Sequence, residues 1–169
     1  MSMALFGVAL FWVSNDPGHP QPYFYWGLAL MNPEGDERWA SKNEMDVYKV
    51  VRDDTKPGGW KRHFTIMTGQ PPASFAGIVE FTTLLTYEEL SGFICDVPTS
   101  GTPSVQGPTG WTCAAWCLSI IASLNDADYV SLPCDADRLY RRIIAKGYDL
   151  LQMRMDTSYR TQFPVVSIG

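Results

Sequence analysis

Residues 111–124 read WTCAAWCLSIIASL, a run that is apolar on almost every side of a helix. Such a helix must be buried, so the run predicts a central element packed against a sheet. Residues 98–110 before it are rich in Gly, Pro, Ser and Thr and predict a loop. The loop brings Cys113 to the first turn of the helix, where unpaired N–H groups and the positive end of the helix dipole lie. A thiol there is expected to have a lowered pKa and to be nucleophilic. The alternative is a small buried residue that packs the helix on the sheet.

The composition describes a globular chain of 169 residues, which we expect to form a single domain over residues 1–169. Hydrophobic residues make up 46% and charged residues 18%, which argues against disorder. The net charge of −5 does not favour nucleic acid or an anionic membrane as a partner. The four cysteines and two histidines show no metal-ligand spacing, so we expect no metal and no other cofactor. Free thiols in a reducing compartment favour a cytoplasmic location.

Residues 3–13 are nearly all apolar and allow two interpretations. No Lys or Arg precedes them and no Ala-x-Ala cleavage pattern follows, so a buried strand is favoured over a secretory signal. Secretion stays open as the alternative to a cytoplasmic location. The run is too short to span a bilayer.

The first half of the chain, residues 4–85, is predicted to be rich in strands. Turn signals such as Asn15-Asp16-Pro17-Gly18 separate the runs, and His19 is interpreted as part of that loop. The predicted strands cover residues 4–13, 23–31, 46–52, 60–68 and 78–85.

The second half, residues 86–152, is predicted to be helical, followed by an irregular tail at residues 153–169. Thr86-Tyr87-Glu88-Glu89 fits a capping box that opens a helix to about residue 93. The central helix covers residues 112–124, and Asp135 caps a third helix to about residue 151. Its apolar stripe includes Leu139, Ile143 and Gly147. Strands followed by helices predict an α+β fold, a mostly antiparallel sheet with the cysteine-bearing helix packed on it.

Three short motifs carry a resemblance: FYWGL at 24–28, YKV at 48–50 and WTCAAW at 111–116. In this order they resemble a family of uncharacterised fungal proteins over roughly residues 7–152. That architecture is similar in turn to circularly permuted papain-like domains, including the lecithin-retinol acyltransferase group. The resemblance implies a permuted papain-like fold, in which a strand histidine activates a cysteine at a helix N-terminus. It also implies that a polar residue on the next strand orients that histidine, and that the chemistry is thiol acyl transfer or hydrolysis of amides and esters.

This chain departs from the resembled pattern at three positions. Tyr25 stands where the family has the strand histidine, Lys49 stands at the second histidine, and Thr112 replaces the Asn before Cys113. The resemblance therefore implies a non-standard enzyme with Cys113 as nucleophile or acid/base, Tyr25 as proton donor and Lys49 as charge stabiliser. A tyrosine with a pKa near 10 is a poor general base at neutral pH. Lys49 could instead reach solvent.

His63 and the tryptophans complete the candidate residues. His63 lies on a predicted strand and either supplies the missing imidazole or is a surface residue. An aromatic pocket lined by Trp26, Tyr25 and Trp111 would suit a flat apolar ligand, although core packing also explains the tryptophans. Thr112 and Trp12 are further candidate ligand-binding residues.

Two functions follow from these residues. The first is an enzyme acting on a small apolar or acyl substrate, a thiol hydrolase or acyltransferase lacking the usual histidine. The second is a catalytically inactive domain of the same fold that binds a small ligand or a protein partner.

Overall fold

The computed structural model describes residues 2–39, 44–68, 71–101, 112–154 and 163–169. Within these ranges the chain forms one six-stranded sheet and three α-helices. The strands are β1 (Leu5–Val13), β2 (Tyr23–Met31), β3 (Glu44–Arg52), β4 (Trp60–Thr68), β5 (Phe75–Phe81) and β6 (Val165–Ser167). The helices are α1 (Tyr87–Asp96), α2 (Cys113–Asp126) and α3 (Ala136–Arg154), and a single 3₁₀ turn covers Pro57–Gly59 before β4. The expected α+β class is confirmed.

The strand order is β4-β3-β2-β1-β5-β6, and every pair except β5–β6 is antiparallel. The predicted boundaries of β2 and β4 are confirmed. The other strands and helices differ by a few residues at their ends, apart from the two cases below. The capping box is also confirmed, since the Thr86 hydroxyl accepts from Glu89 N while the Glu89 carboxylate accepts from Thr86 N.

The expected strand at 78–85 is wrong at both ends, because β5 covers Phe75–Phe81. Phe75 pairs with Phe11 across a register shift in β1, which extends the strand backwards. After Phe81 the chain leaves the sheet, and the Thr83 hydroxyl accepts a hydrogen bond from Leu85 N in a local turn.

The tail expected to be irregular contains β6, a parallel strand beside β5. Ile78 N donates to Pro164 O at 2.8 Å, and Arg142 Nε donates to Ile168 O at 2.8 Å. Three residues carry too little periodicity to predict a strand, so these tertiary hydrogen bonds decide its structure.

All three helices pack on one face of the sheet, which we call the helix face. Its residues on β2 are all buried: Phe24, Trp26, Leu28 and Leu30. α2 is buried along most of its length, as the sequence predicts. Gly147 lets α3 approach closely, because a Cβ there would lie 2.8 Å from the Phe24 ring and 2.9 Å from Leu10 Cδ1.

The opposite face, which we call the second face, carries a smaller apolar cluster. Its members alternate with the helix-face residues along each strand, as the pleat requires. Ala9, Phe11, Ala29 and Val47 lie here, and Trp39 and Phe163 from outside the sheet cover part of the cluster.

Candidate functional site

Cys113 is the first residue of α2 and is buried, with 8% of its surface exposed. Thr112 is the N-cap, and its hydroxyl accepts from Ala115 N at 3.2 Å. The expected position of the thiol in the first helical turn is therefore confirmed. The Sγ atom of Cys113 accepts a hydrogen bond at 3.3 Å from the backbone N–H of Trp26 on β2.

This hydrogen bond lies where β2 and β3 separate. The two strands pair over only three residue pairs, Leu28–Leu30 against Tyr48–Asp46, whereas β3 and β4 pair over nine. If the β2–β3 register continued, Trp26 would lie opposite Val50 and their backbones would bond to each other. Instead Trp26 N donates to the thiol, and Val50 O accepts from the Tyr25 hydroxyl at 2.9 Å. Cys113 is thus inserted into an opening between the strands.

The expectation that Cys113 has a lowered pKa is wrong. Burial raises the pKa of the thiol from 9.0 to about 11, because the thiolate loses its solvation. Hydrogen bonds from backbone N–H groups, of Trp26 above all, and the charge of Lys49 act in the opposite direction but do not outweigh burial. At neutral pH Cys113 is a protonated thiol.

Tyr25 and Lys49 come together, but on the second face, whereas Cys113 enters the opening from the helix face. The Lys49 ammonium lies over the Tyr25 ring at 5.2 Å and over the Phe11 ring at 5.1 Å. Desolvation lowers the pKa of Lys49, and it raises the pKa of Tyr25 well above its usual value. The Tyr25 hydroxyl donates a hydrogen bond to Val50 O. The side chain therefore bridges the opening as a neutral phenol.

His63 lies on β4, directly opposite Lys49 in the strand register, and its side chain is exposed. It is not among the residues that line the cavity beside Cys113. The structure therefore brings His63 near Lys49 in the sheet but does not place it at the thiol.

A cavity of about 510 Å³ opens beside Cys113 on the helix face. This volume lies within the range of 300–1,000 Å³ that is usual for small-molecule sites. Trp26 and Thr112, both expected in the pocket, line it. The remaining lining residues are His19, Pro22, Tyr23, Phe24, Cys113, Ala114, Tyr140, Arg141, Ile144 and Tyr148.

The other three expected pocket residues differ from this placement. Tyr25 is not among the lining residues, because strand alternation places it on the second face. Trp12 lies behind the wall, with its ring 5.0 Å from that of Phe24 and 5.9 Å from that of Tyr148. It supports the pocket and is not among its lining residues, because Phe24 and Tyr148 stand in front of it. Trp111 lies outside the described residues, so its predicted role stays a prediction.

His19 is a pocket residue that the sequence interpretation placed only in a loop. The Asp16 carboxylate accepts from Gly18 N at 2.9 Å and from the Tyr23 hydroxyl at 2.7 Å, which fixes the β1–β2 turn. The His19 ring then lies against the Tyr23 ring, with centroids 4.2 Å apart. The hydrogen bond to Asp16 raises the pKa of Tyr23 to about 12. A carboxylate two residues before Gly18 is the sequence signal for such a turn.

Tyr140 and Arg141 of α3 are two further pocket residues that were not predicted from the sequence. The Tyr140 ring stacks on Trp26 with centroids 5.6 Å apart and 22° between the planes. Arg141 is exposed at the pocket and makes no hydrogen bond or ion pair within the part of the chain that the structure describes. On the helix pattern alone, Tyr140 belongs to the apolar stripe and Arg141 to the solvated side.

Among the described residues, no cluster of three or more His, Cys, Asp or Glu side chains could hold a metal ion. None of the helices in the described ranges is long and apolar enough to cross a membrane.

Comparison of the chain with models of known protein families, with curated proteins and with solved structures finds no match.

Proposed function

We propose that the chain is a non-hydrolytic member of the permuted papain-like architecture, which binds a planar apolar ligand bearing an anionic group in the cavity beside Cys113. The order of a strand with Tyr25, a strand with Lys49 and a helix that begins at Cys113 supports this architecture. The single observation that carries the binding role is an aromatic cavity whose only cysteine is a buried, protonated thiol.

The walls of the cavity favour a flat apolar ligand. Trp26 and Tyr140 form a stacked pair, and Phe24 and Tyr148 meet edge to face at 5.4 Å. Aromatic surfaces of this kind offer large contact areas at little cost in side-chain entropy. The partly exposed Tyr140 and Tyr148 leave one side of the wall open to a guest.

Two features favour an anionic group on that ligand. Arg141 presents a guanidinium at the cavity with no acidic partner among the described residues. The N-terminus of α2, with its positive dipole end, opens into the same cavity at Thr112 and Cys113. A carboxylate held between these two groups would gain charge-assisted hydrogen bonds.

Calorimetric titration with 2-naphthoate tests this proposal, with 2-naphthamide as the neutral ligand of matched shape. We expect the acid to bind more tightly than the amide. Tyr140→Ala should weaken both ligands, and Arg141→Gln should weaken the acid alone by about tenfold, the loss of one charge-assisted hydrogen bond. Arg138→Gln, an exposed change on the same helix away from the cavity, is the matched control. Absence of binding, or binding that Tyr140→Ala leaves unchanged, would overturn the proposal.

A second candidate is a thiol hydrolase or acyltransferase, favoured by one specific arrangement. Trp26 N–H and the Lys49 charge both stabilise a thiolate at Cys113, and His19 lines the same cavity. Alkylation by iodoacetamide as a function of pH, read at each cysteine by peptide mass spectrometry, separates the two candidates. If Cys113 reacts well below pH 8 and faster than the exposed Cys95, the enzyme is favoured. If Cys113 stays inert until the protein unfolds, the binding role stands.

A further inference from the structure

A separate cavity of about 400 Å³ lies on the second face of the sheet. Its lining comes from β1, β3 and β4 and from the segment that precedes β5. The lining residues are Phe11, Val47, Lys49, Thr65, Ile66, Met67, Thr68 and Pro72. Lys49 is the only charged residue in this set, and the lining is otherwise apolar apart from two threonines.

Lys49 places its charge at the wall of this cavity. Its Nζ atom lies 5.1 Å from the centre of the Phe11 ring, and Phe11 lines the same cavity. The second ring under the ammonium belongs to Tyr25, at 5.2 Å. Both rings attract the cation through their π-faces, but neither is an anion.

No carboxylate within the described ranges neutralises Lys49. The ion pairs found there join Arg52 to Asp54 and Lys61 to Asp53, around the turn that connects β3 to β4. Across the strand pair the residue opposite Lys49 is His63, which is exposed and adds no negative charge. A half-buried ammonium without a counter-charge loses solvation that a bound anion would restore.

We infer that this second cavity binds a monocarboxylate with an apolar tail, its carboxylate paired with Lys49 and its tail lying along Val47 and Met67. Val47 and Met67 are nearly completely buried and form the apolar floor of the cavity. The charge-assisted contact to Lys49 fixes the orientation of the ligand. This cavity is distinct from the one beside Cys113, because the two lie on opposite faces of the sheet and share no lining residue.

Calorimetric titration of the full chain with decanoate and with decanamide tests the inference. The two probes share their tail, and only decanoate carries a charge. We expect decanoate to bind at least tenfold more tightly, since one charge-assisted hydrogen bond separates them. Lys49→Met should abolish this difference while keeping the chain packed over the two rings, and Lys49→Arg should retain it. Lys61→Met, on β4 and outside the cavity, is the matched control.

Two results would overturn the inference: equal affinity for acid and amide, or wild-type decanoate affinity in Lys49→Met with the fold intact by circular dichroism. Tyr140→Ala distinguishes this site from the first cavity. If decanoate binding falls in Tyr140→Ala rather than in Lys49→Met, the probe occupies the cavity beside Cys113 and the inference fails. Decanoate binding that is lost in Lys49→Met and unchanged in Tyr140→Ala supports it, whatever the outcome with 2-naphthoate.

Discussion

The β2–β3 pair has a closed end and an open end, and the two are built differently. At the closed end Leu28–Leu30 and Asp46–Tyr48 bond through their backbones, with fully buried leucines on the helix face. At the open end the Cys113 thiol and the Tyr25 hydroxyl take the places of the missing strand partners of Trp26 and Val50. A sheet can therefore be opened for a helix start if side chains satisfy the freed backbone groups. One cavity lies beside Cys113 on the helix face, and another lies on the second face.

Leu28→Ala tests the closed end and should have the largest effect. Leu28 is 0% exposed, so the truncation leaves a cavity in the core between sheet and helices. We expect a loss of about 3 kcal/mol in the free energy of unfolding, measured by urea denaturation. Leu84→Ala, at a side chain that is 65% exposed, is the control and should change stability little. Equal losses in both variants would mean that the closed end does not anchor the strand pair.

Cys113→Ala tests the open end. It removes the acceptor of the Trp26 N–H and leaves a buried donor without a partner, so we expect a loss of about 2 kcal/mol. Cys113→Ser keeps an acceptor and should lose less. Chemical denaturation of both variants is compared with Cys95→Ala, a change at an exposed cysteine. If Cys113→Ala is as stable as Cys95→Ala, the thiol does not replace a strand partner.

Alkaline pH should weaken the open end through the same thiol. The folded-state pKa of Cys113 is about 11 against 9.0 for an exposed thiol, so folding favours the protonated form. The protonated thiol's contribution to the free energy of unfolding is fully present below pH 9. It is lost as the pH rises from 9 to 11. Between pH 7.5 and pH 10 the wild-type protein should lose between about 1 and 2 kcal/mol more of its unfolding free energy than Cys113→Ala.

This comparison uses urea denaturation at the two pH values. Cys117, whose pKa is raised mainly by burial, is present in both proteins, so its titration is common to both apart from its smaller interaction with the Cys113 charge. A parallel pH dependence in wild type and Cys113→Ala would contradict the buried, protonated state of the thiol.

Tyr25→Phe should have the smallest effect, a loss of about 1 kcal/mol, because it removes one hydrogen bond to Val50 O from a half-buried position. Tyr148→Phe, at a ring that is 52% exposed, is the matched control. Thermal unfolding of the two variants measures the difference. A Tyr25→Phe variant as stable as Tyr148→Phe would show that water replaces the hydroxyl at the open end.

Local patterns were sufficient to predict most elements of the fold. The aromatic run at Tyr23–Met31 and the alternating run at Trp60–Thr68 form strands with the predicted ends. The capping box at Thr86 and the apolar run after Thr112 form the predicted helices. β6 could not be predicted from the sequence, because it is held by backbone pairing with β5, a strand nearly ninety residues earlier in the chain.

The candidate site was only partly predictable. Cys113, Trp26 and Thr112 meet at one cavity as expected, because each lies at the end or on the inner face of a strongly patterned element. Tyr25 and Lys49 also meet, but on the second face. Successive residues of a strand point to opposite faces, so these two point away from the face of Trp26 and Val50. The β1–β2 turn places His19 at the cavity, and the packing of α3 on the sheet places Arg141 there. No local pattern in the sequence encodes either placement.

The sequence by itself determined the α+β class, the buried central helix and the position of Cys113 in its first turn, because periodicity and capping are local properties of the chain. Only the tertiary structure decided the protonation state of that thiol and the partners of Trp26 and Val50. The helix N-terminus favours a thiolate, but burial between two strands removes solvent from it, and this desolvation is the larger effect. Desolvation depends on everything packed around the sulfur atom, and those neighbours come from distant parts of the chain.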